Sequence, residues 1–447
     1  MASAHLRRLL RPELEAPSSR EGRQAHLGTS LARARQGSFY ADRLRPLPAQ
    51  VEPAVLSELP FTTRHDLVAD QREMPPFGRC HVVTIEESAL IGRTGVGFSM
   101  SQQRLNLLLT SEDIRHQAEL FARALFEAGV RPGHRVYVAD DPRYNALAIC
   151  AMHGVSVLDG IMVYAGAERS ARTVRYVIPA LPPDHIFLTP TYAQFFSKVL
   201  AERSGTRWPI QSLTGWGEPG YSAPHVRERL LQRWGVVSEY SPLSIVDVYG
   251  LSETGLIAMG CRSGRGLHVF EDACLVELVK PDGDRVVGTD EIGEIVITRL
   301  GSPSLPLVRY RTGDAGTLDR SPCPCGRTAP RLNRIQRLAD RLIIGQRALF
   351  PLDVDEALIR ASAYAEAVVI ERSSERLHLQ LSGIDGPLDQ VHLTRVLSED
   401  LNVPVSVEIK SSENLSSFFH KTIRVVDDGN RDVYRAELEF QRELEHA

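Results

Sequence analysis

Asp247-Val248-Tyr249-Gly250-Leu251-Ser252-Glu253-Thr254 is the stretch on which the reading of this chain turns. An apolar run with a strand's composition, Ile245 to Tyr249, ends in an aromatic, a glycine turn, a hydroxyl and a carboxylate. Open α/β sheets place their ligands at strand ends of this kind. Tyr249 offers a ring to stack on a planar base and Ser252 a donor to a phosphate oxygen. Glu253 offers the carboxylate oxygen that Mg²⁺ prefers. An ordinary strand turn with a solvated glutamate has the same letters, so the sequence on either side must decide.

Toward the N-terminus, Ser111-Glu112-Asp113 opens a helix that runs to Ala128, with Ile114, Ala118, Phe121 and Leu125 at helical spacing and Gly129 closing it. Short apolar strands then alternate with helices. The strands are Arg135 to Ala139, Ile161 to Tyr164, His185 to Leu188, one approaching Trp216, and the decisive one; the helices are Tyr144 to His153, Arg169 to Ile178 and Thr191 to Glu202. Such alternation predicts a mostly parallel sheet. Beyond Gly255 the chain becomes β-rich, with Leu275 to Val279 and an alternating run at Ile292 to Leu300. From about Arg337 it reads as a compact unit: strand Leu342 to Ile344, helix Pro351 to Ala361, strands Ala367 to Glu371 and Leu377 to Leu381, helix Leu388 to Leu401, strand Val405 to Ile409. The expected fold class is α/β: a large N-terminal domain, 1–336, with mixed and parallel sheets and helices, and a small α+β domain, 337–447.

Composition limits the function classes. The 447 residues are 43% hydrophobic and 24% charged with a net charge of −4, so nothing recommends nucleic acid as a partner. The Arg-rich start, Met1 to Arg23, lacks the uncharged apolar core of a secretory signal, and no stretch is apolar enough to span a bilayer, so a cytoplasmic location and no membrane partner are expected. Six cysteines are too few for a disulfide framework.

A second motif gives the first its meaning. Arg309-Tyr310-Arg311-Thr312-Gly313-Asp314 follows further along the chain, and the two in this order resemble the adenylate-forming superfamily. Gly217-Glu218-Pro219 after Trp216, Leu59-Pro60-Phe61-Thr62-Thr63, Cys323-Pro324-Cys325-Gly326-Arg327-Thr328 and Phe350-Pro351 resemble, respectively, the GGEP, LPFTTK, CxCGRT and VFP segments of the phenylacetate-CoA ligase branch. Arg64 stands where that branch has the lysine of LPFTTK. The likeness runs from about Leu27 to Asp427.

What the resemblance implies is an ATP-dependent, AMP-forming ligase. Tyr249 would pack on adenine, flanked by the Trp216 to Pro219 segment, Asp247, Gly250 and Ser252; Glu253 would bind Mg²⁺ and Asp314 both ribose hydroxyls. His420-Lys421-Thr422-Ile423-Arg424-Val425-Val426-Asp427 is similar to the family's GKxxRVVD, which makes Lys421 the catalytic lysine; Arg337, with Asp340 as pivot, stands near the GRxDD hinge. The substrate implied is a small, aromatic carboxylic acid, seated between Ala148 to Tyr164 and Trp216 to Tyr221, with coenzyme A as acceptor. An amine, a carrier protein or nitrite as acceptor in a biosynthetic pathway stays open. So do a homodimer and a degenerate nucleotide-binding homologue.

The family's phosphate loop, SSGTTGKP, should follow a strand around His81 to Ile85, but here the residues are Leu90-Ile91-Gly92-Arg93-Thr94-Gly95-Val96-Gly97. Thr94 and Gly95 match, Val96 replaces the lysine, and Arg93 is the expected source of charge. Cys261, His268, Cys323 and Cys325 have the donor types of a closed Zn²⁺ site, which some members of the branch carry; it would staple the region 261–325. Cys80, Cys150 and Cys274 are expected in the core.

Overall fold

The computed structural model describes residues 20–41, 43–44, 51–94, 104–139, 146–164, 173–202, 205–218, 221, 224–240, 243–289, 291–301, 303–363, 365, 367–382, 389–410, 425–427 and 431. An antiparallel hairpin, β1 (Leu90–Arg93) with β2 (Asn106–Leu109), precedes the main sheet. The strand expected at His81 to Ile85 does not form; these residues are irregular, and β1 is the strand that leads to the glycine-rich segment. Leu90 and Ile91, which look like lost serines beside the family pattern, are strand residues.

Five strands pair in parallel as the alternating pattern predicts: β3 (Arg135–Val138), β4 (Ile161–Val163), β5 (His185–Phe187), β6 (Ser212–Gly215) and β7 (Ser244–Leu251), in the order β4-β3-β5-β6-β7. The remaining six, β8 (Gly255–Gly260), β9 (Leu267–Val269), β10 (Cys274–Val279), β11 (Gly293–Arg299), β12 (Tyr310–Asp319) and β13 (Arg331–Arg337), are antiparallel. Together they make one eleven-stranded sheet in which β7 pairs in parallel with β6 and antiparallel with β8.

The helix Ser111–Ala128 starts one residue earlier in cap terms than its sequence suggests. Thr110 is the N-cap, its hydroxyl accepting from Asp113 N–H while the Asp113 carboxylate accepts from Thr110 N–H; Gly129, at φ 116°, closes the helix. It packs on the helix Leu147–Val157, and Gly154 makes the approach possible, because a Cβ there would lie 2.8 Å from Phe121 Cβ. Both helices cover the same core as Val136, Val138 and Val248. Of the segment expected as a helix from Arg169 to Ile178, residues 169–172 lie outside the described residues, and the rest is a π-helical turn, Thr173–Val177, continuing into Ile178–Ala180.

After β13 the chain makes a short turn, Leu338–Asp340, and builds a separate four-stranded sheet from Leu377–Ser382, Ala367–Glu371, Val405–Lys410 and Val425–Val426. The helices Pro351–Arg360 and Gln390–Leu401 cover it, and a hydrophobic core of its own runs from Leu342 to Val425. No described helix is long and apolar enough to cross a membrane.

At the N-terminal ends of the parallel strands, His134 Nδ1 and His185 Nε2 are 2.8 Å apart, and His185 Nδ1 lies 2.7 Å from Ser212 Oγ. Burial first, then the adjoining His134, lowers His185 from the ordinary 6.5 to about 4. As pH falls, the unfolded chain takes up this proton before the folded one does. The stability contribution is therefore complete above 6.5 and is lost on acidification from 6.5 towards 4, at no more than about 1.4 kcal/mol per pH unit. Urea denaturation at stepped pH should show this slope in the parent and a shallower one in His185→Gln.

Candidate active site

The turn between β7 and β8 is fixed by its own residues. Leu251 N–H donates to Thr254 Oγ1 at 3.1 Å, and the Thr254 hydroxyl lies 2.9 Å from Gly255 O. Gly250 has no room for a side chain, since a Cβ would fall 2.4 Å from Gly255 O. The turn holds Glu253, buried at 5% exposure, at the end of the strand that carries Asp247 and Tyr249.

From the antiparallel side, β12 brings the second motif to the same place. Its register against β11 shifts between Glu294 and Val296, and within that irregularity Gly313, at φ 76°, donates its N–H to Glu294. Asp314 N–H donates to Thr312 Oγ1. The outcome is that Tyr249 OH donates to Asp314 Oδ2 at 2.9 Å, and Tyr310 OH donates to Glu253 Oε1 at 2.7 Å. Burial, reinforced by the neighbouring carboxylate, pushes both phenols well above their usual range, so each stays protonated and donates. Arg337 on β13 is the cross-strand partner of Asp314. Asp340 ends the following turn.

A third segment crosses this junction. Thr62 bridges Tyr310 in parallel: Thr62 N–H donates to Arg309 O and Arg311 N–H to Thr62 O. The Thr62 hydroxyl donates to Val308 O and meets Tyr40 OH at 2.9 Å. Arg309 and Arg311 both sit over the Phe61 ring, at 4.0 and 5.1 Å. Thr63 then caps the helix Arg64–Glu73 in a reciprocal box with Asp66.

Arg64, the first residue of that helix, reaches Glu253 Oε1 at 2.8 Å with Nη1 and Thr94 Oγ1 at 3.0 Å with Nη2. Thr94 is buried at the end of the hairpin strand, its hydroxyl also accepting from Leu105 N–H. Arg93 differs from expectation: along β1 the side chains alternate, and Arg93 falls on the exposed face, away from Thr94. The sequence marked Arg64 only as a substituted lysine; its place between Glu253 and Thr94 depends on a bridge to a strand far along the chain.

The segment after β6 is divided. Glu218 Oε1 accepts from Thr191 N–H at 2.7 Å, so that carboxylate caps the helix Pro190–Ala201; Gly217 turns the chain at φ 89°. Trp216, 4% exposed, packs edge-on to Phe121 at 5.6 Å and tilted against Phe187 at 5.8 Å. It is a core anchor, and so is Tyr221, fully buried against Gly215. Ser252 lies in the turn, half-buried. Gly95, Pro219, His420 and Lys421 lie outside the described residues.

The four metal-type residues converge beside this sheet. The donor atoms of Cys261, His268, Cys323 and Cys325 all lie within 4.8 Å of one another. Cys261 and Cys323 Sγ are 3.8 Å apart, and Cys325 Sγ is 3.3 Å from His268 Nε2. Ala329 O takes His268 Nδ1 at 3.0 Å, which turns Nε2 to the thiols. Burial works against ionising Cys323, yet the Ser263 hydroxyl and the backbone at Cys325 bring its thiol down to about 6. Glu127, on the helix Ser111–Ala128, accepts from both Arg262 N–H and Arg327, tying the two cysteine loops to one helix end. Cys80, Cys150 and Cys274 are buried in the core.

No family model matches the chain. Over 385 residues it is 29% identical to the phenylacetate-coenzyme A ligase of Thermus thermophilus, covering 80% of this chain and 76% of that one. It is 26% identical over 382 residues to the phenylacetate-coenzyme A ligase of Pseudomonas putida, covering 82% and 80%. Among solved structures, a 2-hydroxyisobutyryl-CoA ligase in the postadenylation state matches with a TM-score of 0.82 at 23% identity, over 97% of this chain and 93% of that one. That likeness is one of fold.

The buried phenol on Glu253 has a measurable consequence. Tyr310→Phe removes its hydrogen bond without changing the ring's shape, and should lower unfolding free energy by about 1–3 kcal/mol, read from urea midpoints at unchanged m-value.

Proposed function

We propose that this chain, similar over most of its length to phenylacetate-coenzyme A ligases, is an AMP-forming ligase that activates a small carboxylic acid with MgATP and passes the acyl group to coenzyme A. The observation that carries the proposal is the pair of phenol–carboxylate bonds, Tyr249 to Asp314 and Tyr310 to Glu253, which join two sequence motifs at one end of β7.

In this reading Tyr249 lies against adenine, with Asp247, Gly250 and Gly217 shaping the wall around it. Asp314 accepts from the ribose hydroxyls, and Arg337, across the strand pair, steadies that carboxylate. Glu253 supplies an oxygen to the Mg²⁺ that arrives with ATP, while Ser252 and Thr94 face the phosphates. The acid's carboxylate attacks the α-phosphorus in line and pyrophosphate leaves. Lys421, on the small unit 337–447, neutralises the negative charge that builds on the reacting oxygens. The coenzyme A thiolate then attacks the acyl carbon and AMP departs.

The named activity of the relatives favours an aromatic acid, phenylacetate being the model compound. Trp216 does not contribute to that preference directly, because its ring is committed to the core.

We assign the Cys261, His268, Cys323, Cys325 cluster to a structural Zn²⁺. The donor set is suited to it, and an ion with Zn–S bonds of about 2.3 Å sets tetrahedral sulfurs roughly 3.8 Å apart, the spacing of Cys261 and Cys323. When bound, the ion supplies cross-linking of the loop after β8 to the loop after β12. It leaves no position for a reactant.

Two experiments test these readings. In a hydroxamate assay with aryl and short aliphatic acids, the parent should consume ATP with at least one acid. Lys421→Ala should lose roughly 100-fold or more in adenylate formation with nucleotide binding retained. ATP binding without turnover of any acid would favour a non-catalytic nucleotide binder. Metal analysis should give about one zinc per chain in the parent and little in a Cys323→Ser variant, whose melting temperature should fall by several degrees.

A further inference from the structure

A zinc ion held by three thiolates and one imidazole leaves a net negative charge on its site, and a thiolate can only accept hydrogen bonds. The groups around the four donors therefore decide how firmly the ion is kept. Ala329 O fixes the ring of His268, and Arg327 Nη1 lies 3.8 Å from Cys325 Sγ. Cys261 and Cys323, the two buried cysteines of the set, share another neighbour. Ser263 Oγ is 2.8 Å from Cys261 Sγ and 3.2 Å from Cys323 Sγ, closing a triangle on the 3.8 Å between the sulfurs.

We propose that Ser263 is the outer partner of this metal site, a positioning residue whose hydroxyl donates to the Cys261 and Cys323 thiolates and slows the loss of zinc from them. The inference rests on the zinc assignment made above and extends it to a residue outside the donor set.

The loop aims the hydroxyl by means that do not involve a metal. Gly264 N–H donates to Cys261 O at 2.9 Å, closing a turn in which Ser263 is the third residue and Gly264, at φ 66°, the fourth. Arg262 N–H donates to Glu127, which pins the second residue of the turn to the helix Ser111–Ala128. Gly266 then lets the loop pass close to Asn333, where a Cβ would fall 2.3 Å from Oδ1. The backbone thus fixes where the Ser263 side chain points.

A hydroxyl brings one proton, and here two sulfurs stand within its reach. Donating that proton draws charge from the thiolate it meets and so compensates part of the excess that three sulfurs bring. The second effect is geometric. Cys261 and Cys323 come from loops 62 residues apart, and zinc leaves only after one of its bonds to them opens. A donor shared by both sulfurs keeps the loosened one beside the ion, so that the bond closes again. Serine needs no place among the ligands for this, since three thiolates and His268 already complete a tetrahedron.

The test follows the metal and not the turnover. Full-length parent, Ser263→Ala and Ser263→Thr, each carrying about one zinc per chain, are mixed with an excess of a chromogenic chelator. Zinc should pass to the chelator about tenfold faster or more from Ser263→Ala, and from Ser263→Thr at close to the parent rate. In cobalt-loaded samples the sulfur-to-metal charge-transfer band of Ser263→Ala should move to lower energy, a change that a merely structural serine would not cause. A parent rate of transfer in Ser263→Ala overturns the inference and leaves the zinc assignment standing. Faster transfer with an unmoved band overturns it too, because the serine would then act on the loop alone. So does a Ser263→Ala chain that holds no zinc at all, which would make the serine a ligand. A parent chain that binds neither zinc nor cobalt overturns the inference and the zinc assignment together.

Discussion

One strand, β7, pairs in parallel on one side and antiparallel on the other, and the geometry of the site follows from that constraint. The parallel half delivers strand ends and helix starts to one edge, as β–α alternation requires. The antiparallel half folds β12 back so that its motif arrives at the same edge from the other direction. A residue at the end of β7 therefore meets both halves. The close approach at Gly250 and the hydroxyl of Thr254 keep the turn after β7 tight enough for Glu253 to stay buried.

Polar groups buried at this junction satisfy one another. Tyr249 and Tyr310 each give a proton to a carboxylate, and Arg64 and Arg337 lie next to those carboxylates by contact or by register. Such a network is costly to disrupt by halves, because removing one member strands its partner in low dielectric. The cysteine and histidine cluster lies outside this network but acts on the same frame, since its loops leave β8 and β12 and dock on Glu127.

Where local pattern and tertiary structure agree, the sequence was legible. The parallel strands β3 to β7 and the helix from Ser111 were readable because each has a period or a cap that a short window contains. The convergence of Cys261, His268, Cys323 and Cys325 was readable from donor type. The rest required distance information. Leu90 and Ile91 resembled a damaged loop because β1 is short and, among the described residues, pairs with β2 alone. Arg93 looked like the charge this segment turns inward because sequence proximity ignores which face a strand residue takes. Trp216 next to a glycine motif suggested a ligand wall, and only its packing against Phe121 and Phe187 shows an anchor.

The bridge from Thr62 to β12 has a bearing on how the molecule is made. Its hydroxyl contact with Val308 spans 246 positions, so this closure waits until most of the large sheet has been synthesised, while the contacts of Thr62 with Tyr40 and of Arg64 with Thr94 lie nearer in the chain. Helices and the parallel strands can form earlier on the ribosome, from nearby contacts. A growing or truncated chain that stops short of Tyr310 would have much of the architecture but would lack both the Thr62 bridge and the phenol that donates to Glu253.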